Sequence, residues 1–324
     1  MNIAYFGSPV LSKLLLDQLI ENGIPIKFVV TQPDKAAGKR LKLTETAVKS
    51  TAIAHGIEYF DKPLKNHEDE LISIMNDKEI TLGILFAYGE LLSPRLLNSL
   101  KYGIWNIHPS LLPKYRGPAP IIYPLILGET KTGTTLMQMS EGLDEGNILE
   151  QTVISIPISA NREQVEHKLV AIAAEQVINA LSLLKNDSLQ SKQQEARLAT
   201  YTKLVNKSDG FVSREFISQA LNNESITFEK LPTVIQKYYQ KNNIVPQEIY
   251  KAGAILYHLY QGLHPWPGIW TLIKINSTEK RLKILELKLN NNYSQIISVQ
   301  LEGKKPVDFI TFKKAYKECI PFQD

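Results

Sequence analysis

The first 205 residues alternate short apolar runs with segments of helical periodicity. NIAYFG reads as a strand. VLSKLLLDQLIENG follows with apolar residues at helical spacing and stops at Gly23, a residue suited to a helix C-terminus. IKFVV is a second strand, and 46–55 and 66–77 read as helices. ITLGILFAY is apolar throughout, as in a strand covered on both faces. GIWNIH, TGTTLMQM and ILEQTVISI are further strands, and a long helix is expected over 162–185. The alternation predicts an α/β fold with a doubly wound, mostly parallel Rossmann-like sheet.

From about residue 206 the pattern changes. Residues 213–221, 232–241 and 247–261 read as helices, and GLHPWPGIW breaks the last of them. IWTLIKIN, RLKILELKL and QIISVQL are strands, with a short helix near 307–316. Two domains are expected: 1–205, and a smaller helix-plus-β domain over 206–324.

Composition narrows the class. The single cysteine, Cys319, excludes an internal disulfide and any multi-cysteine metal site. None of the six histidines forms a close i, i+4 pair, so no metal is expected. The N-terminal residues lack the layout of a signal peptide, and no apolar run reaches membrane-spanning length, so a cytoplasmic protein without membrane contact is expected. A monomer is expected as well. The strand NIAYFG leads into FGSPV, which offers one glycine where a dinucleotide fingerprint needs three; a dehydrogenase is disfavoured.

The formal charge is +4, unevenly placed. Residues 1–205 carry net −1 and residues 206–324 net +5. Within the first domain, Lys27, Lys35, Lys39, Arg40, Lys42 and Lys49 cluster against only Asp34 and Glu45. Two basic surfaces fit a large anionic partner, with an ordinary solvated surface as the plain alternative.

Two segments carry candidate chemistry. The run 106–117, NIHPSLLPKYRG, follows the strand residues GIW and reads as a rigid, extended loop. Asn106 and His108 alternate along it, so both can face one side. The run 141–147, EGLDEGN, holds Asp144 between two glycines that let the backbone turn sharply. An amide, an imidazole and a carboxylate can serve acyl transfer to an amine. Asn106 can donate to the oxygen on which charge builds, and His108 can do the same if Asp144 keeps it protonated. Asp144, directly or through water, can help remove the amine proton, which needs little help when the α-amino pKa is about 8. The competing view is a buried histidine satisfied by a loop aspartate, with Asn106 as a turn former.

The stretches NIHPSLLPKYRGPAPI and TLMQMSEGLDEGNIL resemble the folate-dependent formyltransferase superfamily. There, an Asn-x-His and a following Asp form the catalytic trio, which maps onto Asn106, His108 and Asp144. The resemblance implies 10-formyltetrahydrofolate as formyl donor. It places folate contacts at Ser110, Leu111, Leu112 and Pro113, and a pterin-lining loop at Phe86, Ala87, Tyr88 and Gly89. VVTQPDKAAGKRLKLTETAVK resembles the branch that formylates initiator methionyl-tRNA, as do YTKLVNKSDG and HPWPG. That branch implies contacts to the tRNA acceptor stem from Lys35, Lys39, Arg40 and Lys42, and a tRNA-binding C-terminal domain resembling an OB barrel. Lys39 and Arg40 stand where the branch commonly has Arg-Gly, and 222–247 looks like an insertion. About three clear strands begin at or after Ile269, fewer than a five-stranded OB barrel needs, so a reduced OB-like barrel is expected.

Three alternatives remain open. They are a formyltransferase acting on an amino sugar or other small amine, a hydrolase of formyl-folate, and an RNA-binding protein with an idle folate site. The basic cluster weighs against the first. Hydrolases of this type carry a preceding regulatory domain, whereas here the chain opens on the first strand. The complete trio weighs against the third.

Overall fold

The computed structural model describes residues 1–37, 42–291 and 293–316. It divides into two compact units. The first comprises Met1–Arg116, Thr132–Ile154 and Glu166–Ala199. The second comprises Gly117–Lys131, Ser155–Val165 and the described residues from Thr200 onward. The division is therefore interleaved along the chain, where the sequence reading expected one cut after residue 205.

The first unit opens with β1 (Asn2–Gly7), α1 (Val10–Glu21), β2 (Ile26–Val30), β3 (Lys35–Ala37), β4 (Lys42–Thr44), α2 (Ala47–Ala54) and β5 (Glu58–Phe60). Then come α3 (Leu64–Asp77), β6 (Ile80–Phe86), α4 (Pro94–Leu97) and β7 (Ile104–His108). After α5 (Ile122–Ile126), which belongs to the second unit, the chain forms β8 (Lys131–Gln138), β9 (Ile148–Ser155) and α6 (Arg162–Lys185). Seven of these strands form one sheet in the order β5-β2-β1-β6-β7-β8-β9. The pairs β2–β5, β1–β2, β1–β6 and β6–β7 are parallel, and β7–β8 is antiparallel. From β1 the chain builds outward first through β2, then on the other side through β6 and β7. That reversal leaves a crevice beyond the carboxyl ends of the central strands, where doubly wound folds bind ligands.

Both faces of the sheet are covered, which is why β6 is apolar throughout. On one face Ile3, Tyr5, Leu82, Ile84, Trp105 and Ile107 pack with residues of α1, α2 and α6. On the other, Ala4, Phe6, Leu85 and Ile104 pack with Leu64, Leu71, Met75 and Leu96. Side chains alternate along a strand, so Asn106 and His108 continue the Ile104 face past the end of the apolar cluster. α1 ends as its sequence predicts: Gly23 takes φ of +73° and its N–H donates to Ile20 O.

A buried polar contact locks α6 to the sheet. Gln176 is 1% exposed. Its Nε2 donates to Thr134 O (3.1 Å) and Thr152 Oγ1 (2.9 Å), and its Oε1 accepts from Thr134 Oγ1 (2.6 Å). Gln176→Leu strands these groups away from water and is expected to cost about 1–3 kcal/mol. The urea midpoint measures it; an unchanged midpoint would show that the contact contributes nothing.

The second unit contains α5, then α7 (Arg214–Leu221), β10 (Ser225–Ile226), α8 (Thr233–Lys241), β11 (Tyr250–Lys251) and α9 (Ala252–Leu263). β12 (Ile269–Ile275), β13 (Thr278–Asn290), β14 (Tyr293–Leu301), β15 (Val307–Asp308) and α10 (Phe309–Ala315) follow. Among the described residues, β12 to β15 form an antiparallel four-stranded meander, in place of a five-stranded barrel. The segment 222–247 is ordered as β10, a 3-10 turn at Phe228–Lys230 and α8. α9 begins at Ala252, later than the periodicity of 247–261 implies, because Tyr250 and Lys251 pair with Ile226 and Ser225. α5 has no counterpart in the sequence reading, since Pro124 within IIYPLI obscures its helical pattern.

Candidate active site

Asn106 and His108 lie on the last residues of β7, not on a loop. The strand continues through His108 because β8 pairs with it, Asn106 opposite Met137 and His108 opposite Thr135. The side-by-side placement expected of an extended chain follows from the same geometry.

His108 is 4% exposed, and its Nε2 lies 2.9 Å from Tyr115 O. A carbonyl only accepts, so Nε2 carries a proton. Nδ1 faces Asp144 Oδ2 at 3.6 Å, an electrostatic contact too long for a direct hydrogen bond. Asn106 is 7% exposed, and among the described residues its side-chain amide has no protein hydrogen-bond partner.

The backbone around the histidine is held in conformations that L residues seldom adopt. Tyr115 has φ of 63° and Asp144 φ of 50°. Such conformations persist where the surroundings over-determine them, as functional loops do. The Asp144 turn also needs a glycine at 146, because a Cβ there would collide with the Gln138 carbonyl.

The run 110–113 is anchored from beneath by β8 and β9. Thr135 Oγ1 donates to Ser110 O (2.7 Å) and accepts from Leu112 N (3.2 Å). Gln151 Nε2 donates to Leu112 O (2.9 Å) and to Thr135 Oγ1 (2.8 Å), and Ser110 Oγ donates to Lys114 O (2.8 Å). Ser110 and Leu112 are buried, with Leu111 and Pro113 half-buried. The backbone groups of Ser110 and Leu112 therefore bond within the protein.

The run 86–89 continues from β6, whose Leu85 is paired with Asn106. Tyr88 is buried edge-on against Phe6, burial pushes its phenol pKa upward, and its carbonyl accepts from Ser8 Oγ (3.1 Å). Ala87 and Gly89 are exposed and take φ of 52° and 85°. At this strand end, then, the Tyr88 ring belongs to the core, and the open positions are Ala87 and Gly89.

The basic cluster is divided. Lys35 is exposed and its Nζ donates to Gln32 Oε1 (2.6 Å). Lys39 and Arg40 lie outside the described residues, and Lys42 opens β4, which pairs with β3. Lys49 leaves the cluster altogether. Its ammonium is buried between Asp61 (2.8 Å) and Asp34 (2.9 Å), and these bonds hold its pKa above the usual lysine range. A count of charges along the sequence cannot register such pairing.

Gln151 and Gln194, which support this geometry, lie outside the motif stretches singled out in the sequence, and Tyr115 and Thr135 lie within them without a role read there. Tyr115 acts through its backbone carbonyl, and the other three through side chains whose partners are distant in the chain.

Comparison with known proteins gives this geometry its context. The family described as formyl transferase matches residues 1–181. The methionyl-tRNA formyltransferase of Alkaliphilus metalliredigens is 34% identical over 315 residues, covering 95% of this chain and 93% of that protein. The enzyme of the same name from Agathobacter rectalis is 28% identical over 332 residues, covering 96% of each. Among solved structures, an N-formyltransferase from Helicobacter canadensis, in complex with folinic acid and dTDP-3-aminofucose, superimposes with a TM-score of 0.55. It is 15% identical over 91% of this chain and 94% of its own, a likeness of fold. The chain belongs to the formyl transferase family and, within it, to the methionyl-tRNA formyltransferases.

Proposed function

We propose that the enzyme transfers the formyl group of 10-formyltetrahydrofolate to the free amino group of methionyl initiator tRNA, by direct amine attack without a metal or a covalent enzyme intermediate. The observation that carries this reading is the arrangement at the end of β7. An Asn106 amide without a protein hydrogen-bond partner among the described residues stands two residues from His108, whose Nδ1 is turned to Asp144 while Nε2 is tied to Tyr115 O. With Nε2 already protonated, a proton on Nδ1 makes an imidazolium, whose charge Asp144 offsets.

In the reaction the amine nitrogen attacks the formyl carbon and the carbonyl π electrons move to oxygen. Asn106 and the Nδ1–H of His108 donate to that oxygen. The amine proton passes to Asp144, directly or through water. As the carbonyl re-forms, the bond to N10 breaks, N10 takes the proton held by Asp144, directly or through water, and tetrahydrofolate leaves. Pre-aligned donors stabilise the developing charge without reorganising during the step.

Ser110 to Pro113 form a rigid wall for the folate, fixed from below by Thr135 and Gln151. Backbone groups at Ala87 and Gly89 are open to the pterin, in place of the internally bonded ones at Ser110 and Leu112. Lys35, Lys39, Arg40 and Lys42 meet the tRNA acceptor stem, and the net-positive 206–324 domain supplies the rest of that footprint. The enzyme acts in the cytoplasm as a monomer.

Neutralising Lys39 and Arg40 together tests the acceptor. The apparent KM for tRNA should rise, and the log–log salt dependence should flatten by about one unit for each phosphate interaction removed. The KM for the folate should stay near wild type. Unchanged tRNA kinetics and salt slope would show that Lys39 and Arg40 make no contact with the tRNA, whereas absence of any transfer to methionyl-tRNA would favour a small amine, such as an amino sugar, as acceptor.

A further inference from the structure

Gln194 lies outside every motif in the sequence, on the segment after α6, and is 8% exposed. Its Nε2 donates to Asp144 O (2.9 Å) and Gly146 O (2.8 Å). Its Oε1 accepts from Arg116 Nε (3.2 Å) and Nη2 (2.8 Å). Both N–H groups and both lone pairs are used. Only one orientation of the amide works, because the flipped form would set N–H groups against a guanidinium and an oxygen against two carbonyls.

The partners of this one side chain belong to the two halves of the candidate site. Asp144 and Gly146 sit on the turn that carries the carboxylate. Arg116 follows Tyr115, whose carbonyl orients His108. Arg116 is itself buried, and its Nη1 lies 3.8 Å from Glu145, the residue between the two carbonyls that Gln194 holds. The left-handed backbone at Asp144 and Tyr115 lies at the two places that this bridge joins, and such conformations need external support.

We propose that Gln194 is a positioning residue. By bridging the Asp144–Gly146 backbone to Arg116, it sets the Asp144 carboxylate against the His108 imidazole. The proposal rests on the reading that Asn106, His108 and Asp144 carry the transfer. Misplacement of a reacting group by about 1 Å can cost on the order of a hundredfold in rate. A buried amide bonded on both sides resists that displacement.

The test uses the full-length enzyme with 10-formyltetrahydrofolate and methionyl initiator tRNA. Gln194→Ala should lower kcat by about 10- to 100-fold. The KM for each substrate should stay within about threefold, since neither substrate contacts this residue in the proposal. Gln194→Glu keeps an acceptor for Arg116 but loses both donors to the turn. It should lose kcat as the alanine variant does, and it serves on its own if the alanine variant does not fold. In an Asp144→Ala background the same substitutions should cost less than about twofold, because no carboxylate remains to be placed. Equal losses in both backgrounds would mark general packing and overturn the proposal, as would wild-type kcat in Gln194→Glu. Full turnover in Asp144→Ala alone would overturn the trio, and the positioning role with it.

Discussion

Asn106→Ala is expected to lower turnover by about two to three decades, the usual cost of removing one oxyanion donor. Asn106 is 7% exposed and sits on a strand held on both sides, by β6 and β8, so loss of its side chain should leave the fold in place. Its amide makes no hydrogen bond to the protein among the described residues, so truncation strands no internal partner. The KM for the folate should therefore change little, since the missing bond forms only as charge builds on the formyl oxygen. Steady-state kinetics in both substrates separates the outcomes. A raised folate KM with unchanged kcat would make Asn106 a binding residue.

Asp144→Ala should be similarly harmful, with folate binding largely kept. The carboxylate faces Nδ1 of His108 at 3.6 Å, so in the proposed mechanism its removal takes away the group that offsets a proton on that nitrogen. It also removes the proposed acceptor for the amine proton. The alanine itself must adopt the φ of 50° that Asp144 holds, which adds strain in the turn. Equilibrium folate binding, measured beside turnover, distinguishes the two effects. Near-normal turnover would contradict the proposed role, and loss of folate binding along with turnover would point to collapse of the turn.

Much of this architecture was legible in the residues. Strands and helices of the first unit announce themselves because its sheet is covered on both faces, giving continuous apolar runs such as ITLGILF. The common facing of Asn106 and His108 follows from their spacing of two along an extended chain. What the sequence concealed is long-range pairing of polar groups. Gln194 binds Asp144 across 50 positions and Arg116 across 78, and no local pattern marks it. Lys49 reads as one more surface charge until Asp34 and Asp61 are seen to close on it. At Ser110 and Leu112, where the resemblance implies folate contacts, Thr135 and Gln151 take up backbone groups. Boundaries failed where tertiary pairing overrode periodicity, as at Tyr250–Lys251, which form a bridge before α9 begins.

The central claim is direct transfer of the formyl group from folate to the amine of a charged tRNA. A single-turnover experiment with formyl-labelled 10-formyltetrahydrofolate and methionyl initiator tRNA tests it most directly, with acid quenching through the time course. The account predicts label moving from folate to the methionine of the tRNA in one phase, with no labelled protein at any time. It also predicts that this phase is slowed by about two to three decades in Asn106→Ala and Asp144→Ala. Label on the protein before it reaches the tRNA, or label released as formate with the methionine unmodified, would contradict it.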